Sequence, residues 1–282
     1  MEIGKRKIEV ALRVALFWGA FWLLLFGLRR IPVPVAPELG NLLFGCLGTL
    51  GAFILVKIFL GAESKTFPDI GLVWASGSLR RFMLGSAGGM ALAGLMLAVV
   101  VPLAGFTVVP TPDPDYWNAI GFAILVLFVL ALMEEVAFRS YPLVRLYRSF
   151  GTRTSIYGTS LFFALYHGID PANLLGPGVW GILFGVAAIG SRGIALPLGL
   201  HFGLNWMQSL FGMKTQFAGS IWTIVPGAGE GIESANFIGL VLQFLLLVVG
   251  ILLVERHIRR HPALAEVPVH RRLNEDVSGS AQ

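Results

Sequence analysis

The sequence predicts an all-α fold, a polytopic membrane helix bundle of about eight transmembrane helices. Two observations carry that expectation. Of 282 residues, 56% are hydrophobic and only 13% are charged, about half the charged share of a soluble domain. Apolar runs long enough to cross a bilayer recur along the chain, whose mean hydropathy is +0.77. The same arithmetic excludes intrinsic disorder, a coiled coil and collagen.

The candidate spans are taken in order. The first, about residues 10–28, follows a basic start at Lys5, Arg6 and Lys7. Arg29 and Arg30 come directly after it with no small-residue cleavage site, so a retained span is expected rather than a signal peptide. The next three lie at about 39–60, 82–103 and 117–138. Three shorter runs that carry polar residues follow, at about 155–169, 174–190 and 194–210, and these should be tilted, broken or shielded. The last span is about 236–254. Between the second and third, Glu63–Arg81 is less apolar and reads as interfacial. Gly85–Gly94 has the small residues of close helix packing.

Charge sets the orientation. With the N-terminus inside, 18 of the 21 Lys and Arg fall on inner segments. Only Arg29, Arg30 and Lys214 fall on outer ones. Both termini are therefore expected in the cytoplasm, and the acidic Thr111–Asp115 turn on the outer side. The net charge of +5 flanks apolar segments as topology signals do, so no nucleic-acid partner is expected. Cys46, alone in an apolar run, supports neither an intrachain disulfide nor a CxxC zinc site. The chain divides into 1–116 (the first three spans), a core at 117–210, an outer loop with the last span at 211–256, and a basic tail at 257–282 that contains His257, His261 and His270.

An ionisable residue inside a span costs about 2.5–3.5 kcal/mol, so it needs a partner or a role. Glu135 and Arg139 are four apart on one helical face and can pair. Glu134 is rotated about 100° away and has no sequence-local partner. If all three sit at the inner end of the fourth span, they simply face water. If they are buried, Glu135–Arg139 is a structural clamp and Glu134 is free as a base. Phe163 and His167 share a face of the fifth span, where a histidine near a helix end can be purely structural. His201 and Asn205 share a face of the seventh. They could donate together to an oxyanion or simply bond between helices. Taken together, these residues make a hydrolytic set on the fourth, fifth and seventh spans. No serine or cysteine stands in a nucleophile context, so water is the expected nucleophile.

The ordered motifs Glu134-Glu135-x-x-x-Arg139, Phe163-x-x-x-His167 and His201-x-x-x-Asn205 resemble the CAAX protease and bacteriocin-processing family (CPBP, or Abi). These are intramembrane glutamic endopeptidases related to the type II prenyl-protein protease. The resemblance covers about 117–210, and Arg192-Gly193 and Leu196-Pro197 add to it. It implies that Glu134 and His167 activate water, that His201 and Asn205 stabilise the oxyanion, and that Glu135, Arg139 and Phe163 support the site. The implied substrate is a membrane-associated peptide or protein. A prenylated C-terminal CAAX peptide is one candidate, and membrane lipid is the surrounding partner. No cofactor is expected. Zinc held by Glu134, His167 and His201 is the runner-up, although the chain has no HExxH motif. The expected setting is a prokaryotic plasma membrane, with a water-filled cavity open to the cytoplasm or laterally to lipid. A non-catalytic scaffold or bacteriocin-immunity-type protein of the same fold is the alternative function. A proton-coupled transporter is a weaker one, because no internal repeat is visible.

Overall fold

The computed structural model describes residues 2–32, 34–227 and 231–261. It is mostly helical, and six of its described helices are long and apolar enough to cross a membrane. The first three are α1 (Glu2–Arg30), α2 (Pro37–Gly61) and α3 (Ser78–Leu103). The fourth runs from Trp117 to Phe150. It begins as a π-helical turn, continues as α4 (Ala123–Arg139) and ends as α5 (Tyr141–Phe150). The chain returns in α6 (Thr152–His167). The fifth apolar stretch, Pro171–Ser191, comprises the short α7 (Pro171–Leu175) and α8 (Pro177–Ser191). Then come α9 (Ala195–Leu210) and α10 (Gly231–Arg260).

All eight predicted runs are helical, but two of them, α6 and α9, have only 16 residues each. Helices of that length reach about 24 Å, short of a roughly 30 Å hydrocarbon core. Their neighbours cover them, which is how short polar helices persist inside a bundle. The predicted 174–190 run is broken at Gly176, just before Pro177. α10 continues to Arg260, so His257 is helical rather than part of a tail and its ring packs against that of His261. His270 and the rest of 262–282 lie outside the described residues.

The all-α expectation missed a two-stranded antiparallel ribbon. β1 (Phe106–Pro110) pairs with β2 (Trp222–Pro226), with Val108 opposite Ile224. Both segments are short and β-branched, the composition that favours extended chain where a helix stops. The ribbon caps the end of the bundle where α3 and α9 finish.

The bend between α4 and α5 positions the site. Pro142 cannot donate to the carbonyl of Phe138, and Ser140 leaves helical geometry at φ −94°, ψ −109°. The hydroxyl of Ser140 donates to the carbonyl of Val136, and Trp18 Nε1 donates to the freed carbonyl of Ala137 at 3.3 Å. Beyond the bend, buried Glu63 accepts from Tyr141 (2.8 Å) and pairs with Arg145 (2.9 Å) and Arg13 (3.2 Å). This knot ties α1, the turn after α2 and α5 together.

On the opposite flank α9 lies backbone-to-backbone on α3. A Cβ at Gly199 or Gly203 would collide with the carbonyls of Phe82 or Ser86. One at Gly85 or Gly89 would collide with those of Leu196 or Leu200. Small residues permit that approach. Residues 199 and 203 face α3, which turns 201 and 205 about 200° away, towards the bundle interior.

Candidate active site

Glu134 is on α4, His167 ends α6, and His201 and Asn205 lie on α9. All four line one cavity of about 870 Å³. Depth is matched by the extra length of α5. The chain runs ten residues past Ser140 before it turns at Gly151, and α6 climbs back about 22 Å to His167. That brings His167 level with Glu134.

The polar geometry centres on one oxygen. Glu134 Oε2 lies 3.6 Å from His201 Nε2 and 3.8 Å from His167 Nε2, and it has no hydrogen-bond partner among the described residues. Both separations are too long for direct hydrogen bonds and suit a bridging water. Each imidazole is fixed from behind. His167 Nδ1 lies 2.8 Å from the carbonyl of Phe163, and since a carbonyl only accepts, Nδ1 carries the proton. His201 Nδ1 donates to Glu135 Oε1 at 2.9 Å. In the neutral form both rings therefore turn an Nε2 lone pair towards Glu134.

Glu135 is fully buried between His201 and Arg139, whose Nε lies 3.7 Å from Oε2. The Arg139 guanidinium sits 4.2 Å above the Phe163 ring and 5.4 Å from that of Phe184, and its Nη2 donates to the carbonyl of Gly181 at 3.4 Å. Phe163 also meets His167 edge-on at 4.6 Å. Phe184 stacks on His201 at 4.7 Å and 19°. The sequence had offered no sign of Phe184, which lies in the uniformly apolar run of α8. The Asn205 side chain makes no hydrogen bond among the described residues.

The cavity is lined towards its mouth by Arg29, Asn41, Gln208, Lys214 and Gln216. These come from the end of α1, the start of α2, and the end of α9 with the turn after it. Arg29 and Lys214 are two of the three basic residues that the charge count assigns to outer segments. Burial draws the Lys214 ammonium below the usual lysine range, and the negative charge of Glu134 partly opposes that. Sequence reasoning had treated Arg29 and Lys214 only as topology signals.

No group of three or more His, Cys, Asp and Glu side chains among the described residues is arranged to hold a metal ion. The family model for the Rce1-like type II CAAX prenyl endopeptidases matches residues 116–207. That match marks residues 116–207 as similar to this family. It covers about a third of the chain and contains every residue of the constellation around Glu134. The matched segment begins at the π-helical turn that opens the fourth span and ends within α9. Outside it, α1, α2, the end of α9 with the turn after it, and α10 supply the remaining walls. No curated protein and no solved structure matches the chain.

Proposed function

We propose that the protein is an intramembrane endopeptidase that hydrolyses a peptide bond of a membrane-associated substrate with water activated by Glu134. The observation that carries this reading is the convergence of His167 Nε2 and His201 Nε2 on the unpartnered Glu134 Oε2. A water held there gives its proton to Glu134 as its oxygen attacks the substrate carbonyl. Glu134 then returns the proton to the leaving nitrogen. His167, locked by the Phe163 carbonyl, orients the water. The Asn205 carboxamide donates to the oxyanion whatever the protonation of its neighbours. His201 can donate from Nε2 only as imidazolium. Glu135, Arg139 and Phe163 hold that ring in place. CAAX peptides, prenylated or not, are the first substrates to try.

The test is cleavage of a quenched-fluorescent membrane-peptide panel by the purified protein in liposomes, with and without a zinc chelator. Chelator-resistant cleavage supports the reading. Chelator-sensitive cleavage replaces it with the zinc alternative on Glu134, His167 and His201. Proton-driven flux without cleavage of any peptide would favour a transporter.

The same reading places both termini in the cytoplasm and the cavity mouth on the opposite face, because the mouth lies at the end that holds three of 21 basic residues. In a Cys46→Ser background, Asp113→Cys should react with a membrane-impermeant maleimide on intact cells, and Arg80→Cys only after permeabilisation. The reverse pattern would turn the mouth to the cytoplasm.

A further inference from the structure

α10 is the least buried of the six candidate spans, and large apolar side chains such as Phe237, Phe244 and Leu252 stand exposed along it. From Phe237 to Val254 it carries one polar side chain, Gln243. That residue lines the cavity that contains Glu134. Its carboxamide is unsatisfied. Oε1 is shut off from solvent without a hydrogen-bond partner among the described residues, and Nε2 makes no hydrogen bond there either.

An amide held in apolar surroundings without a bond is costly. The ordinary use of a glutamine inside a membrane protein is a bond to a neighbouring helix. Here the neighbouring wall offers no donor. Gly178, Gly181 and Gly185 of α8 meet Ala164, Ser160 and Ile156 in turn, so α8 runs antiparallel to α6. α10 does the same, since Glu255 near its end pairs with Arg153 at the start of α6 at 2.6 Å. Gly250 packs on Ile182, which puts Gln243, two turns earlier, level with the break between α7 and α8. At that break Pro177 has no N–H, and Gly176 N is committed to the carbonyl of Ala172 at 2.6 Å.

A peptide substrate brings what the carboxamide lacks. To present a carbonyl to Glu134, a membrane segment must leave helical geometry, and its N–H and C=O groups then enter the cavity unpaired. Asn205 is given to the oxyanion in the chemistry proposed above, and Gln208 stands on the same helix. Gln243 offers a donor and an acceptor from a different wall.

We infer that Gln243 binds substrate by hydrogen-bonding one main-chain peptide group of the segment being cut, and so fixes the register of that segment against Glu134. This rests on the endopeptidase reading of the cavity. Recognition through the main chain positions a substrate without choosing its side chains. It also gives α10, which lies outside the matched residues 116–207, a part in the site.

The experiment takes the tightest-binding fluorescent peptide of the liposome panel and replaces each main-chain amide in turn by an ester, which removes the N–H and weakens the carbonyl as an acceptor. Binding is followed by anisotropy on Glu134→Gln protein, with and without Gln243→Met. With Gln243 present, one ester position or two adjacent ones should weaken binding by about threefold to tenfold more than the rest, as one neutral hydrogen bond allows. Gln243→Met should weaken the all-amide peptide by a similar factor and remove the extra penalty at that position alone. It should melt at or above the parent, because an unsatisfied polar group is lost. In the cleavage assay it should raise KM and leave kcat nearly unchanged. A position-specific penalty that survives Gln243→Met, or equal binding of the all-amide peptide with and without Gln243, overturns the inference and leaves the endopeptidase standing. A lower melting temperature of Gln243→Met, with a loss shared by every peptide, shows a structural amide and also overturns it. Position-specific coupling to Gln243 without cleavage of any peptide by the parent supports the contact and removes the endopeptidase reading. No saturable binding of any panel peptide overturns both.

Discussion

Arg139→Ala should lower the folded yield sharply and leave the surviving protein inactive. Glu135 and Arg139 are fully buried, and Glu135 also holds His201. Removing the guanidinium strands a carboxylate in the interior, a change that costs about 3–5 kcal/mol in buried pairs. It also empties the space against Phe163, Phe184 and Phe138, the three rings that surround the cation. Arg139→Lys should recover only part of the loss, since an ammonium cannot stack flat on Phe163. The measurement is the melting temperature in detergent beside peptide hydrolysis in liposomes. Equal melting of Arg139→Ala and parent would show that the pair does not stabilise the fold. Glu135→Gln should hurt less, because an amide can still accept from His201 Nδ1 and the stranded guanidinium keeps the Phe163 ring and the Gly181 carbonyl.

Much of this arrangement was legible before any coordinates. Residue spacing alone put Glu135 with Arg139 and separated Glu134 from both. Hydropathy located every apolar run. What the sequence concealed has specific physical causes. The bend at Ser140 depends on Pro142 acting on a carbonyl four residues back, and within a continuous apolar run it left no mark on hydropathy. The ribbon was hidden because its paired residues lie far apart in the chain, Phe106 with Pro226 and Pro110 with Trp222. Neither strand makes a sheet alone. Phe184 stacks on His201 through tertiary packing and has no local signature. The direction of the cavity needed the mutual placement of α1, α2 and the turn after α9, which no single segment encodes.

The central claim is that Glu134 activates the attacking water. Its carboxylate faces two imidazole Nε2 atoms across gaps that suit a water, so it is placed to take that water's proton and return it. Glu134→Gln preserves shape and removes that basicity, at a cost of about 10²–10⁴ in rate for general acid–base catalysis. Because Oε2 has no hydrogen-bond partner among the described residues, the amide should disturb the fold little. The direct measurement is the turnover number of parent and Glu134→Gln on the same cleaved peptide, in liposomes containing chelator, with melting temperatures recorded for both. The account predicts matching melting temperatures and a loss of at least about 10²-fold in turnover. Near-parental turnover by folded Glu134→Gln protein would contradict it.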